Sequence, residues 1–183
     1  MKRSYFILIC MLLCGSWNHY AQKVATKSGV ITFEASVASF EEVKATHANV
    51  SAILNTETGS FASLALVNGF RFKVALMEEH FNENYMESAT YSKATVKGVL
   101  EDFNSESLTS DFTSYNLKGT IEMHGVENEL NVPVRIKLDG DALIVETNFE
   151  LKPEDFDIEI PSVVANKIAQ TVVVNAQYTL NKL

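Results

Sequence analysis

Apolar and polar residues alternate with a period of two along most of this chain, and that rhythm restricts it to β-structure. Ile31, Phe33, Ala35 and Val37 hold one parity, while Thr32, Glu34 and Ser36 hold the other. The pattern returns in Ala48-Val50-Ala52-Leu54, Phe70-Phe72-Val74-Leu76, Tyr115-Leu117-Gly119-Ile121-Met123 and Leu130-Val132-Val134-Ile136-Leu138. It continues in Leu143-Val145-Thr147-Phe149-Leu151 and Val172-Val174-Ala176-Tyr178-Leu180. Side chains of a strand point alternately to its two faces, so these runs describe strands with one face buried and one in water. Thr58-Gly59, Asn68-Gly69, His124-Gly125 and Asp139-Gly140-Asp141 punctuate them as turns. Asp139-Gly140 is the strongest hairpin signal. Asn68-Gly69 fits either a hairpin or a bulge in one long bent strand.

Acidic residues alternate with Phe156, Ile158 and Ile160, and this run too reads as a half-buried strand. It fails as a calcium loop: counted from Asp155, the positions that need Gly and Glu hold Ile160 and Asn166. About eight strands thus share one continuous domain. Short strands with tight turns form an antiparallel sandwich or barrel, and closure is favoured because an open sheet leaves bare edges. A barrel of about eight strands has room for side chains and one small ligand. Pro133 cannot donate to a ladder, which predicts an edge or bulge there. Met77, Phe81 and Tyr85, four residues apart with Met86 beside them, predict a short amphipathic helix with Glu78, Glu79, Asn82 and Glu83 outside. A second short helix or turn is predicted from Pro161 to Gln170. The expected class is all-β: a single antiparallel barrel with one short capping α-helix.

The 183 residues carry 15 Lys and Arg against 23 Asp and Glu, a formal net charge of −8. With no basic run beyond Lys2-Arg3, the chain is unsuited to a phosphate backbone, and nucleic acid is excluded as a partner. Lys2 and Arg3 precede the apolar run Tyr5–Cys14, which breaks at Gly15-Ser16 and reaches Tyr20-Ala21-Gln22. A charged start, an apolar stretch too short for a bilayer and a small-residue exit predict a secretory signal peptide over residues 1–21. Ser16 is the second choice of cleavage site. Residues 22–183 then form the mature domain, periplasmic or secreted, with no stable membrane insertion. Cys10, Cys14 and Trp17 leave with the leader, so the mature domain has no disulfide, thiol nucleophile or cysteine metal ligand.

Signatures of catalysis are missing from that domain. His47, His80 and His124 lack the spacing of a zinc helix, and no metal site is assigned. His80 reads as helix surface or barrel rim, and His124 as a turn residue bonded to loop backbone. No nucleophile elbow, phosphate-binding glycine loop or dinucleotide fingerprint occurs, so no catalytic residue or cofactor is assigned and a non-enzyme is expected. Phe33, Phe70, Phe72, Phe149 and Tyr178 fall on the interior parity. They either fill a solid core or line an apolar cavity beneath the helix, and the residues alone leave both open.

Three segments, Leu76–Ser88, Gly119–Val126 and Phe156–Pro161, resemble the YceI-like family in wording, order and spacing. The resemblance runs from residue 28 to residue 182. It implies an eight-stranded, lipocalin-like antiparallel barrel, exported to the bacterial periplasm, that holds an isoprenoid-quinone-like or polyprenyl chain, or another long amphiphile. It carries over no catalytic residue. Where relatives often read Tyr-Pro-x-Ala-x-Phe after the helix, this chain has Tyr91-Ser92-Lys93-Ala94-Thr95-Val96, which removes an aromatic from the cavity wall. The expected function is an exported lipid-binding protein that sequesters or carries a long-chain isoprenoid or other amphiphile. The expected ligand contacts are Phe33, Phe70, Phe72, Met77, Phe81, Tyr85, Leu117, Ile121 and Phe149. The alternative is an envelope-stress or partner-interaction protein with a filled core and no ligand. A homodimer is compatible with either reading.

Overall fold

The computed structural model describes residues 23–183, and the expected signal peptide lies outside them. Its strands are β1 (Lys23–Ser36), β2 (Lys44–Asn55), β3 (Ser60–Leu66), a two-residue β4 (Arg71–Phe72) and β5 (Lys93–Leu100). They continue as β6 (Thr113–Met123), β7 (Val126–Asp139), β8 (Ala142–Leu151) and β9 (Ile168–Lys182). Eight long strands run in the antiparallel order β1-β9-β8-β7-β6-β5-β3-β2, and pairing of β1 with β2 shuts the ring. The small β4 lies beside the start of β2, opposite Ala45 and Thr46. Closure leaves every long strand with two neighbours, which removes the exposed edges of an open sheet.

The alternation works as expected on most strands. Along β7, Leu130, Val132, Val134 and Ile136 are buried while Asn131, Pro133 and Arg135 face water. The His124-Gly125 turn joins Met123 directly to Val126, with φ of 51° and 78° at its two residues. Paired positive φ values give the turn a twist that matches the flanking strands. The β7–β8 hairpin turns at Gly140, whose φ is 60°. Pro133 sits where the β7–β8 ladder stops, since β8 pairs only with Val134–Asp139. Its carbonyl accepts a hydrogen bond from Thr147 Oγ1 at 2.7 Å. Beyond it the two strands splay, and Asn128 Nδ2 binds the Asp155 carbonyl at 2.6 Å across the opening.

Two of the expected strands are replaced. Residues Phe70–Leu76 hold β4 and the start of helix α1 (Ala75–His80), preceded by a 3₁₀ turn at Val67–Gly69. The Asn68-Gly69 pair is therefore neither a hairpin nor a bulge. Residues Pro153–Phe156 form another 3₁₀ turn, which ends on Asp157 in the left-handed region, φ 55°. The alternation there is a loop burying Phe156 and Ile158, not a strand. Their places in the ring belong to β3 and β5, whose inward residues include Ser63, Ala65 and Ala94. Small and polar residues blur the apolar contrast that marks a strand. Ala48 is exposed because β2 bulges between His47 and Val50, where Gly29 and Ile31 face those two residues. Of the helix or turn expected from Pro161 to Gln170, the chain makes turns as far as Lys167, with Val164 N–H on Pro161 O and Lys167 N–H on Val164 O, and Ile168–Gln170 already belong to β9.

Candidate functional site

The two ends of the barrel are built differently. Around the β2–β3 and β7–β8 hairpins, Val24, Leu54, Ile136, Leu143 and Leu180 are buried against one another in a solid core. Toward the other end the interior opens into a cavity of about 520 Å³. That volume is ordinary for a small-molecule site. Its floor is Phe61, Leu100, Leu117, Val134, Val145 and Tyr178, and its walls include Ile121, Val132, Phe149 and Val174. From Ile168 to Tyr178, β9 runs roughly 33 Å along its own tilted axis at the usual strand rise.

The mouth is aromatic. Phe33 lies 5.2 Å from Phe70, 5.7 Å from Phe72 and 5.3 Å from Phe81, between ring centroids. Phe81 also meets Phe70 at 5.9 Å and Phe72 at 5.2 Å. These tilted and edge-on pairs are the preferred geometry for rings with negative faces and positive edges. Helix α1 supplies Met77 and His80, then continues as one π turn, Phe81–Tyr85, in which Met86 N–H reaches Phe81 O at 2.9 Å. The wider turn lets Tyr85 and Met86 both face the cavity. Glu78 ties the helix down: one oxygen accepts Phe72 N–H at 3.1 Å and the other meets Arg71 at 3.1 Å. Charged groups in the lining lie only at the rim, where Glu41 and Lys167 are exposed, as is His80, beside half-exposed Phe40.

All nine side chains expected from the sequence line this cavity, and so does Val96. Four of them form the aromatic mouth, Met77 and Tyr85 stand above, and Leu117, Ile121 and Phe149 lie deeper. The sequence reading passed over a polar pair at the floor. Ser63 Oγ and Tyr178 OH are 2.9 Å apart and both buried. Burial pushes the Tyr178 phenol above its ordinary pKa, partly opposed by the Ser63 hydrogen bond. The signal for Ser63 was an inward serine between two turn signals, within Phe61-Ser63-Ala65.

The remaining histidines hold structure. His47 lies under Phe70 at 5.3 Å, edge-on, and its Nδ1 accepts the Asn49 N–H at 3.1 Å, supporting the β2 bulge. Burial, and then the charge of Arg71, lower its pKa. His124 Nδ1 joins the Phe156 carbonyl at 2.9 Å, and its ring packs 4.6 Å from Tyr91. This turn residue thereby ties the β6–β7 hairpin to the 3₁₀ turn that fills the splay.

A closed antiparallel barrel with this lumen agrees with a comparison over nearly the whole chain: a model of the YceI-like domain matches residues 20–180. The chain belongs to the YceI-like family. Solved structures of similar fold include a polyisoprenoid binding domain from Saccharophagus degradans implicated in plant cell wall breakdown. That domain shares 18% identity at a TM-score of 0.76, covering 89% of this chain and 99% of its own. BcnA from Burkholderia cenocepacia follows at 14% identity and TM-score 0.67, covering 82% and 95%. The Campylobacter jejuni YceI protein has 11% identity and TM-score 0.59, covering 78% and 88%. No curated protein matches this YceI-like chain.

Proposed function

We propose that this YceI-like protein is an exported carrier that sequesters one long apolar chain, an isoprenoid or another amphiphile, in its barrel. The observation that carries the reading is the apolar lumen of about 520 Å³ beneath an aromatic mouth. Burial supplies the affinity: each methylene removed from water contributes about 0.8 kcal/mol, so a long tail binds well with few polar contacts. The Saccharophagus degradans domain of similar fold, which is described as binding polyisoprenoid, supports the same class of cargo. Phe33, Phe70, Phe72, Met77, Phe81, Tyr85, Leu117, Ile121 and Phe149 are the proposed contacts. An open interior speaks against the filled-core alternative, which needs the lumen occupied by side chains. Export rests on the charged, apolar and small-residue order of residues 1–21.

Native purification, lipid extraction and mass spectrometry test the reading. A long-chain amphiphile in near-equal molar amount is the expected result. Protein that carries none, and whose melting temperature does not rise with prenyl chains or fatty acids, would sink it. Export is checked by emission: processing after Ala21 removes Trp17, the single tryptophan, and leaves tyrosine fluorescence alone.

A further inference from the structure

Granted that the lumen holds an apolar chain, we infer that Ser63 and Tyr178 form an anchor selecting cargo whose polar end is a neutral carbonyl, bound head-down at the floor. Three observations carry this. The two hydroxyls carry two protons, and their mutual bond at 2.9 Å uses one. The other has no second partner among the described residues, in surroundings that are otherwise hydrocarbon. A buried donor without an acceptor is costly, and a ligand oxygen would relieve it.

The pair is also held in place. Gly29 lies against the Tyr178 ring so closely that a Cβ there would overlap ring carbon Cδ1. Phe61 braces the same ring edge-on at 5.7 Å. A donor fixed in this way loses little freedom when it binds.

Position decides which part of the cargo is recognised. Below the pair, Leu54 and Leu180 are fully buried and lie outside the cavity lining, so the group that reaches Tyr178 is the end of a chain. No charged side chain lines the floor, and an unpaired carboxylate or phosphate there would be strongly disfavoured. A neutral acceptor fits, with its tail running up past Phe149 toward the phenylalanine mouth.

The test uses the purified, delipidated full chain and two probes of equal length, 2-heptadecanone and heptadecane, competing against N-phenyl-1-naphthylamine fluorescence. Water solvates the ketone oxygen and not the alkane, so the anchor is read from how the ketone-to-heptadecane affinity ratio changes when its two hydroxyls are removed. In the double variant Ser63→Ala/Tyr178→Phe that ratio should fall about tenfold, the worth of one good hydrogen bond. Removing both partners together keeps the fold, because no orphan hydroxyl remains. A ratio that survives the double variant, whether both affinities hold or both fall equally, would overturn the anchor. Displacement by neither probe would instead overturn the carrier reading. Independently of any variant, the infrared carbonyl stretch of bound, ¹³C-labelled 2-heptadecanone should lie below its position in hexane. A stretch unchanged from hexane would overturn the anchor as well.

Discussion

The solid half and the hollow half of this barrel share the same strands and the same alternation, yet they bury different things. At the solid end, Leu54, Ile136, Leu143 and Leu180 meet across the interior and exclude solvent. At the hollow end, inward positions on several strands hold small residues: Ala35, Ala65, Ala94, Ala176 and Ser63. Rings at the mouth pack on one another around Phe33 instead of filling the space below. Alternation therefore decides which side chains face inward, and their summed volume decides whether the interior closes. A barrel of this strand number is near the size where either outcome is available.

The contrast can be broken by experiment, most forcefully at the solid end. Leu54→Ala should cost about 2–5 kcal/mol in denaturant unfolding, because a cavity opens where none can be filled by the chain. Probe binding per folded molecule should stay the same. If Leu54→Ala abolishes binding in folded protein, the two ends are not separable. Gly29→Ala pushes a methyl into the Tyr178 ring and should cost about 1–3 kcal/mol, the range for overpacking. Because the displaced ring carries the hydroxyl away from Ser63, this change should also lower the ketone-to-heptadecane affinity ratio, as the double variant does.

Ala176→Phe tests the hollow end in the opposite sense. Filling the lumen should leave stability unchanged or raise it by roughly 0.5–2 kcal/mol, while reporter binding falls at least about tenfold. Should it destabilise as much as Leu54→Ala, the lumen is already occupied. The smallest effect belongs to His47, whose folded pKa lies below its ordinary 6.5. Above 6.5 both states are neutral there; as pH falls below it, the unfolded chain takes a proton that the folded chain resists, so stability declines. Melting temperature should drop less between pH 7 and pH 5 in His47→Gln than in the wild type. Parallel pH curves would show that His47 does not titrate differently on folding.

Much of this was legible from residues. The parities of β1, β6, β7, β8 and β9, the His124-Gly125 turn and the amphipathic helix all follow from local spacing, which needs no partner strand to be read. Pro133 foretold the end of a ladder for the same reason: a missing donor is a property of one residue. Segments whose identity depends on neighbours were read less well. Phe70–Leu76 and Phe156–Ile160 alternate like strands but serve as mouth and filler, since no strand offers them a full ladder. β3 and β5 pair with each other over seven residues, from Ser60–Val99 to Leu66–Lys93, with weak contrast in either sequence.

Sequence by itself determined the class: period-two patterning with tight turns demands strands that bury one face, and so many of them favour closure. It also named nine cavity-lining residues, six by strand parity and three by helical spacing. Only the tertiary structure decided that the lumen is open at one end and solid at the other. It alone brought Ser63 on β3 to within 2.9 Å of Tyr178 on β9, 115 residues away. The physical reason is that a void, like a hydrogen bond between distant strands, belongs to the register and tilt of the whole ring and to no segment of it.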